Sequence, residues 1–401
     1  MSDAPTPGAP GPDADADALA HSERLRARIQ EQIFASGGAI PFSRFMELCL
    51  YTPGLGYYSA GATKFGSEGD FVTAPELGPL FAACVADSIA PVLRQLGPEA
   101  QFVEIGGGSG AFAEVALKRL LALDALPSRY AILEPSADLR LRQRERLQRR
   151  LNPLLFDLVE WLDTPIQASW NGVLFANEVI DALPTPRFTV RDGDIFEEHV
   201  GLDGEGRFIR LDRPADALLA AAVRHVERQL DAPFADGYRS ELLPQLPYWV
   251  QAVIGGLRSG ALLFVDYGYP RREYYQPQRR DGTLRAFHRH RVSNDVHALP
   301  GLQDLTASVD FTALAEACAG AGFDFTGYCT QASFLIGNGL EARLAEAEAK
   351  ARDEAARFRL RQETKRLTLP GEMGERFQAM GFARDVEFGT AFLAGDLGWR
   401  L

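Results

Sequence analysis

Apolar and polar positions along this chain change period in blocks, and the blocks predict helices alternating with short strands. Residues 22–36 place Leu25, Ile29 and Phe34 on roughly one helical stripe. Residues 41–50 read as a second, short helix and 76–95 as a third. An apolar run beginning at Phe102 reads as a strand, followed by apolar strands at 129–133, 172–176 and 261–265 and a weaker one near 155–160. A helix over 136–149 is dense in arginine. Residues 187–212 alternate like hairpin arms, with turns at Asp192-Gly193 and Asp203-Gly204. Residues 214–258 look mostly helical. Residues 269–300 look like a loop rich in arginine and histidine, from Arg271 to Arg291, and read as a solvated segment. A helix over 311–321, a strand over 323–329, one long Ala/Glu/Arg helix over 339–366 and a closing strand over 388–394 complete the pattern. Strands alternating with helices imply an α/β fold with a mostly parallel sheet covered on both faces. The closing strand, arriving after a long helical excursion, is expected to pair antiparallel at or near an edge.

The chain has 401 residues, which suits one large α/β domain with insertions or two domains. The expected organisation is a disordered tail over 1–20 and a helical, glycine-loop cover over 21–98. The core follows over 99–186 and 259–401, with an inserted α+β subdomain over 187–258. A net charge of -12 argues against a nucleic-acid partner. Four scattered cysteines with no Cys-x-x-Cys pair argue against a disulfide framework or a zinc site. The six histidines form no His-x-x-x-His set, so no metal is expected. No apolar run approaches the ~18 residues of a membrane span, so no membrane insertion is expected. Residues 1–20 have no apolar signal region and no arginine, and a cytoplasmic protein is expected.

The densest chemistry lies at Phe102-Val-Glu104-Ile-Gly106-Gly-Gly108-Ser-Gly110-Ala-Phe112. A strand, a glycine turn and a helix put a ligand at the carboxyl edge of a parallel sheet, over a helix N-terminus. Gly106-x-Gly108-x-x-Ala111 also fits a dinucleotide fingerprint, so a nicotinamide- or flavin-dependent oxidoreductase is a competing reading. Three features weigh against it. Glu104 sits where a carboxylate can accept from an amino-acid ammonium. The unit begins about 100 residues into the chain. No downstream His/Asp or Tyr/Lys pair is placed for hydride and proton transfer. Glu134 ends the next strand, 24 residues after Gly110, where an acid can bridge two ribose hydroxyls. Asn177-Glu178-Val-Ile-Asp181-Ala-Leu-Pro184 follows the strand at 172–176. Its acids could anchor a guanidinium for an in-line methyl transfer. Asp266-Tyr267-Gly268 ends another strand at the same edge; Asp266 could face substrate or be a structural aspartate. Asp310 reads as a helix N-cap.

These residues resemble a known family. Glu104-x-Gly-x-Gly-x-Gly110 with Glu134 resembles the S-adenosylmethionine site of class I methyltransferases. Four further blocks resemble the MidA-like family, that of the mitochondrial complex I assembly-factor methyltransferase. They are Tyr51-x-Pro-x-x-Gly-Tyr-Tyr58, Gly69-Asp-Phe-x-Thr73-Ala-Pro75-Glu76, Asn177-Glu178-x-x-Asp181-Ala-Leu-Pro184 and Asp304-Leu-Thr-Ala-x-Val-Asp310-Phe. The resemblance spans roughly residues 22–395. It implies a Rossmann-like fold and S-adenosyl-L-methionine contacted by Gly106, Gly108, Gly110 and Glu134, with Thr73 and Pro75 in the same pocket and Asn177 and Glu178 between cofactor and substrate; Glu104, read above at the turn, joins the expected cofactor residues. With a protein arginine as the expected acceptor, Glu178 and Asn177 are expected to act in catalysis, and the strand-end positions read above add Asp181 and Asp266. A subunit of a respiratory NADH dehydrogenase is one substrate to expect, and a homodimer is a further expectation. A cofactor-binding assembly factor without turnover is the third reading. Gly107 replaces the proline common inside the glycine motif, Ala111-Phe112 replaces Thr-Leu, and Ser308 stands where His or Asp is frequent.

Overall fold

A computed structural model describes residues 16–59, 73–289 and 291–401. Expectations for residues 1–15 of the tail, for the glycine loop over 66–71 and for His290 lie outside the described residues. Residues 16–20, expected in the tail, begin the helix Ala16–Ala35 instead.

The central sheet runs, edge to edge, Asp324–Thr330, Phe377–Arg384, Leu257–Tyr269, Trp170–Asn177, Gln101–Ile105, Arg129–Leu133 and Val159–Leu162. The last five of these strands are parallel, and Phe377–Arg384 is antiparallel to both of its neighbours. Alternation along each strand feeds two cores. Phe102, Val173 and Leu263 point to one face with Phe112 and Phe81. Val103, Leu174 and Leu262 point to the other with Phe311 and Phe382. A sheet buried on both faces needs apolar residues at both parities, which is why these strands read as continuous apolar runs.

A second sheet is built from Arg187–Arg191, Asp194–Leu202, Phe208–Pro214 and Arg239–Glu241. The strand Ala39–Pro41 pairs antiparallel with Asp194–Leu202. The N-terminal helices pack on this sheet through Leu25, Ile29, Phe42 and Phe45 against Val200 and Phe208. The N-terminal segment and the inserted strands therefore share one hydrophobic core.

Several elements differ from the sequence reading. The helix expected over 76–95 is broken at Gly78-Pro79 into Ala74–Leu77 and Leu80–Leu96. Over 155–160 a helical turn, Pro153–Phe156, precedes the strand Val159–Leu162. The mostly helical stretch 214–258 contains the strand Arg239–Glu241. The loop over 269–300 holds a helical turn, Arg271–Tyr274, and strands Arg285–His288 and Arg291–Ser293, which form a small sheet with Asp304–Thr306. The long helix over 339–366 is two helices, Leu340–Lys350 and Glu354–Thr368, the second capped by Asp353, which accepts from the Ala356 amide at 2.7 Å. The closing strand is Phe377–Arg384, not 388–394. Phe388 and Phe392 are buried because their rings pack over Gly381, and Phe392 also covers Gly327. Their apolarity serves packing across a sheet rather than membership of it.

Candidate active site

The parallel strands end at one edge, and the residues there enclose a cavity of about 650 Å³. The strand Gln101–Ile105 leaves the sheet through Gly106, Gly108 and Gly110, all with positive φ (67°, 51° and 81°). Such angles strain any residue with a Cβ. The helix Ala111–Ala122 starts there, with its free N–H groups beside the turn.

Glu104 is buried under the turn and accepts from the Tyr130 hydroxyl at 2.7 Å. Burial pushes its carboxyl up to about 7, against the lowering effect of that hydrogen bond. Glu134 ends the adjacent strand and accepts from the Ser136 amide at 3.0 Å. One residue ties these parts together. Gln143, fully buried on the helix Ala137–Arg150, donates to the Gly108 carbonyl at 2.9 Å and to Glu134 Oε2 at 3.2 Å. Its own Oε1 accepts from Trp161 Nε1 at 2.8 Å. Gly107 lies against the same group: a Cβ there would stand 2.8 Å from Ile132 Cγ2. This space limit accounts for glycine where a proline is expected.

Beside the glycine turn, the adjacent strand Trp170–Asn177, whose Ala176 pairs with Ile105, passes into a sharp turn of its own. Glu178 takes φ of 53°, a left-handed conformation that costs a side-chain-bearing residue roughly 1–2 kcal/mol. Its amide is tied to the Val265 carbonyl at 2.9 Å, and its carboxylate accepts from Asn177 Nδ2 at 3.2 Å. Burial, then repulsion from Asp181, raises the Glu178 carboxyl to about 8. Burial raises Asp181 to about 6. Asp304, from the small sheet, faces the same space and accepts from the Tyr58 hydroxyl at 2.9 Å. Tyr51 stacks on Tyr58 with ring centroids 5.6 Å apart and donates to the Ala182 carbonyl at 2.9 Å. The Tyr58 carbonyl in turn accepts from Ser136 Oγ at 2.8 Å. The N-terminal segment thus bonds the turn at Ala182, the start of the next helix at Ser136 and Asp304 of the small sheet.

The structure brings Thr73, Pro75, Glu104, Gly106, Gly108, Glu134, Asn177, Glu178 and Asp181 together on the cavity wall. Two expected site residues stand behind it. Gly110 does not line the cavity; it is the left-handed residue from which the following helix starts. Asp266 is buried and also absent from the wall. Its Oδ2 accepts from the amides of Ile180 (3.0 Å) and Asp181 (3.3 Å), and its Oδ1 from that of Tyr267 (2.8 Å). It holds the turn that carries Glu178 and Asp181. Asp304, Tyr51, Tyr58 and Gln143 were not among the expected site residues. The Tyr51–Tyr58 and Asp304–Asp310 blocks contained three of them. Nothing in the arginine-rich helix marked Gln143.

Eight carboxylates line the cavity, and among the described residues no lysine, arginine or histidine does. A glycine turn beside clustered carboxylates allows close approach of a ligand backbone and favours cationic groups.

The family profile described as "Putative S-adenosyl-L-methionine-dependent methyltransferase" matches residues 84–329. A Burkholderia thailandensis protein crystallised with S-adenosyl-homocysteine is 40% identical, with 97% of this chain and 100% of that chain covered and a TM-score of 0.89. A native structure from the same organism gives 40% identity, the same coverage and a TM-score of 0.86. Among curated proteins, the mitochondrial protein arginine methyltransferase NDUFAF7 of Danio rerio is 28% identical over 89% of this chain and 86% of its own length. Its Drosophila melanogaster homolog is 28% identical over 89% and 83%.

Proposed function

The chain belongs to this family of S-adenosyl-L-methionine-dependent methyltransferases, and from that premise we propose that it methylates an arginine nitrogen of a protein. The methyltransferase assignment displaces the dinucleotide oxidoreductase and the factor without turnover. What supports arginine is an acidic cluster on the cavity wall: Glu178, Asp181 and Asp304 converge with no cationic side chain on the wall among the described residues. A guanidinium offers a planar fork of donors that carboxylates pair with best. The curated relatives carry the same activity in their names.

The residues at the glycine end fit the cofactor. Gly106 and Gly108 leave room for close approach, Glu134 can take the ribose hydroxyls, and Glu104 can take the ammonium of the amino-acid tail. Thr73 and Pro75 line the same cavity, and the Ala74 amide between them donates to Glu178. When bound, S-adenosylmethionine supplies an electrophilic methyl group on a sulfonium. The chain's own task is to hold and orient the acceptor. Glu178, fixed by the strained turn and by Asn177, would pair with the guanidinium and accept the proton its nitrogen releases as it is methylated. Asp181 and Asp304 would hold the remaining N–H groups. Asp266 acts through the turn as a positioning residue. Burial that raises the empty carboxyls makes them better proton acceptors than exposed ones.

The test is methyl labelling of purified polypeptides and of lysate, a respiratory NADH dehydrogenase among the first substrates, followed by mass mapping. Label on arginine that disappears in Glu178→Gln, with S-adenosylhomocysteine affinity kept, is the expected result. Label confined to lysine, to histidine or to a small molecule overturns the arginine reading.

A further inference from the structure

The turn that follows Glu178 has a cavity on each side. Asp181 to Pro184 face the 650 Å³ chamber, whereas Ile180 and Thr185 line a second cavity of about 310 Å³. The helix Leu246–Ile254 divides its face in the same way. Trp249, Ala252 and Val253 look into the first cavity, and Leu246, Pro247 and Gln251 into the second. Tyr248, 65% exposed, stands between these two sets on the helix. The partition between the acceptor end of the chamber and the second cavity is thus one turn and one short helix.

We propose that the second cavity is a substrate subsite, and that it takes an apolar side chain of the same polypeptide whose arginine enters the acidic chamber. This rests on the arginine reading above. The chemistry of the walls selects the occupant. Arg271 is already held by Asp310 at 3.1 Å and by Glu316 at 2.7 Å. Glu241 is held by Arg187 at 2.9 Å. These charges are answered within the protein, so a charged guest finds no free partner among them. Leu242, Leu246, Val226 and Ala317 supply an apolar surface instead. Covering it excludes water, a gain of roughly 25 cal/mol per Å². A peptide draped over Tyr248 would be held at two points, which lowers the concentration needed to fill the acidic chamber.

The test uses the full chain with S-adenosylhomocysteine and fluorescent glycine–serine peptides carrying one arginine. Leucine is placed at successive offsets on either side of it, and a glutamine-for-arginine peptide serves as control. Binding is read by anisotropy. Two variants narrow the second cavity. Gly320→Trp is at a position where an added Cβ meets nothing within 4 Å, and Ala222→Trp is on the half-buried rim. Leucine at one offset, or two adjacent ones, is expected to tighten binding about tenfold. Both variants should abolish that gain while binding the leucine-free peptide as before. Arginine peptides that bind equally well with and without leucine overturn the subsite and leave the arginine reading standing. A leucine gain that survives both variants overturns its location. Arginine peptides that bind no better than the glutamine control overturn both readings.

Discussion

Replacing Gln143 with methionine keeps the length and bulk of the side chain and removes only its amide. That amide is buried and serves three partners: the Gly108 carbonyl at 2.9 Å, Glu134 Oε2 at 3.2 Å and Trp161 Nε1 at 2.8 Å. A buried polar group stripped of its partner costs about 1–3 kcal/mol. Trp161 is only partly buried and can be rehydrated, and Glu134 keeps the Ser136 amide. Both fall at the low end, and the total comes to about 3 kcal/mol. The melting temperature should fall by roughly 3–8 °C. The loss also falls in the proposed cofactor cradle, where the bridge between Gly108 and Glu134 is then broken. Affinity for S-adenosylhomocysteine, titrated calorimetrically, should drop about ten- to a hundredfold, or roughly 1.4–2.8 kcal/mol. A dissociation constant within about twofold of the parent's would refute the reasoning, because the glycine turn would then be holding itself.

Other outcomes follow from the same geometry. Glu104 and Glu178 are raised from 4.5 to about 7 and about 8. Their favourable contribution is complete below the unfolded value and is lost as pH rises through the folded one. The cofactor-free protein should therefore melt at a higher temperature near pH 6 than above pH 8. The double variant Glu104→Gln, Glu178→Gln should flatten that dependence, and an unchanged slope would contradict the burial argument. Asp304→Asn removes a charge facing the acceptor, worth about 1.5–3 kcal/mol. It should lower kcat/KM on an arginine peptide about ten- to a hundredfold, while S-adenosylhomocysteine binding stays within about twofold. Gly107→Ala should cost about 1–3 kcal/mol by crowding Ile132. Combined with Ile132→Ala it should cost clearly less than the sum of the single changes, as a denaturant-melt cycle would measure.

The glycine turn and the strand-end acids were legible because their signals are local. A glycine turn must follow a strand, and acids at strand ends must share one edge, so Glu104, Glu134 and Glu178 could be read from spacing. The acceptor end was half legible. Asp304 stands in a recognised block, but only the pairing of Asp304–Thr306 with Arg285–His288 brings it to the chamber, and a segment crowded with arginine and histidine hid that sheet. Gln143 was hidden for another reason: one of two amides among six arginines on a helix has no pattern until the helix is laid against the turn. Asp266 was correctly placed at the sheet edge yet points its carboxylate at backbone amides, a choice decided by the neighbouring turn. The misplaced closing strand shows that buried aromatics at 388–394 carry the same apolarity whether they pair in a sheet or lie across one.

The bond between Tyr58 and Asp304 joins residues 246 apart in the chain. Translation at roughly 5–20 residues per second separates their synthesis by about 12–50 s. The glycine turn, Glu134 and Gln143 all leave the ribosome well before Asp304. A nascent chain can therefore assemble its cofactor cradle while the far wall of the chamber does not yet exist. The order of synthesis puts closure of the acceptor side after the glycine turn is made, and so ties the proposed catalysis to segments synthesised much later than that turn.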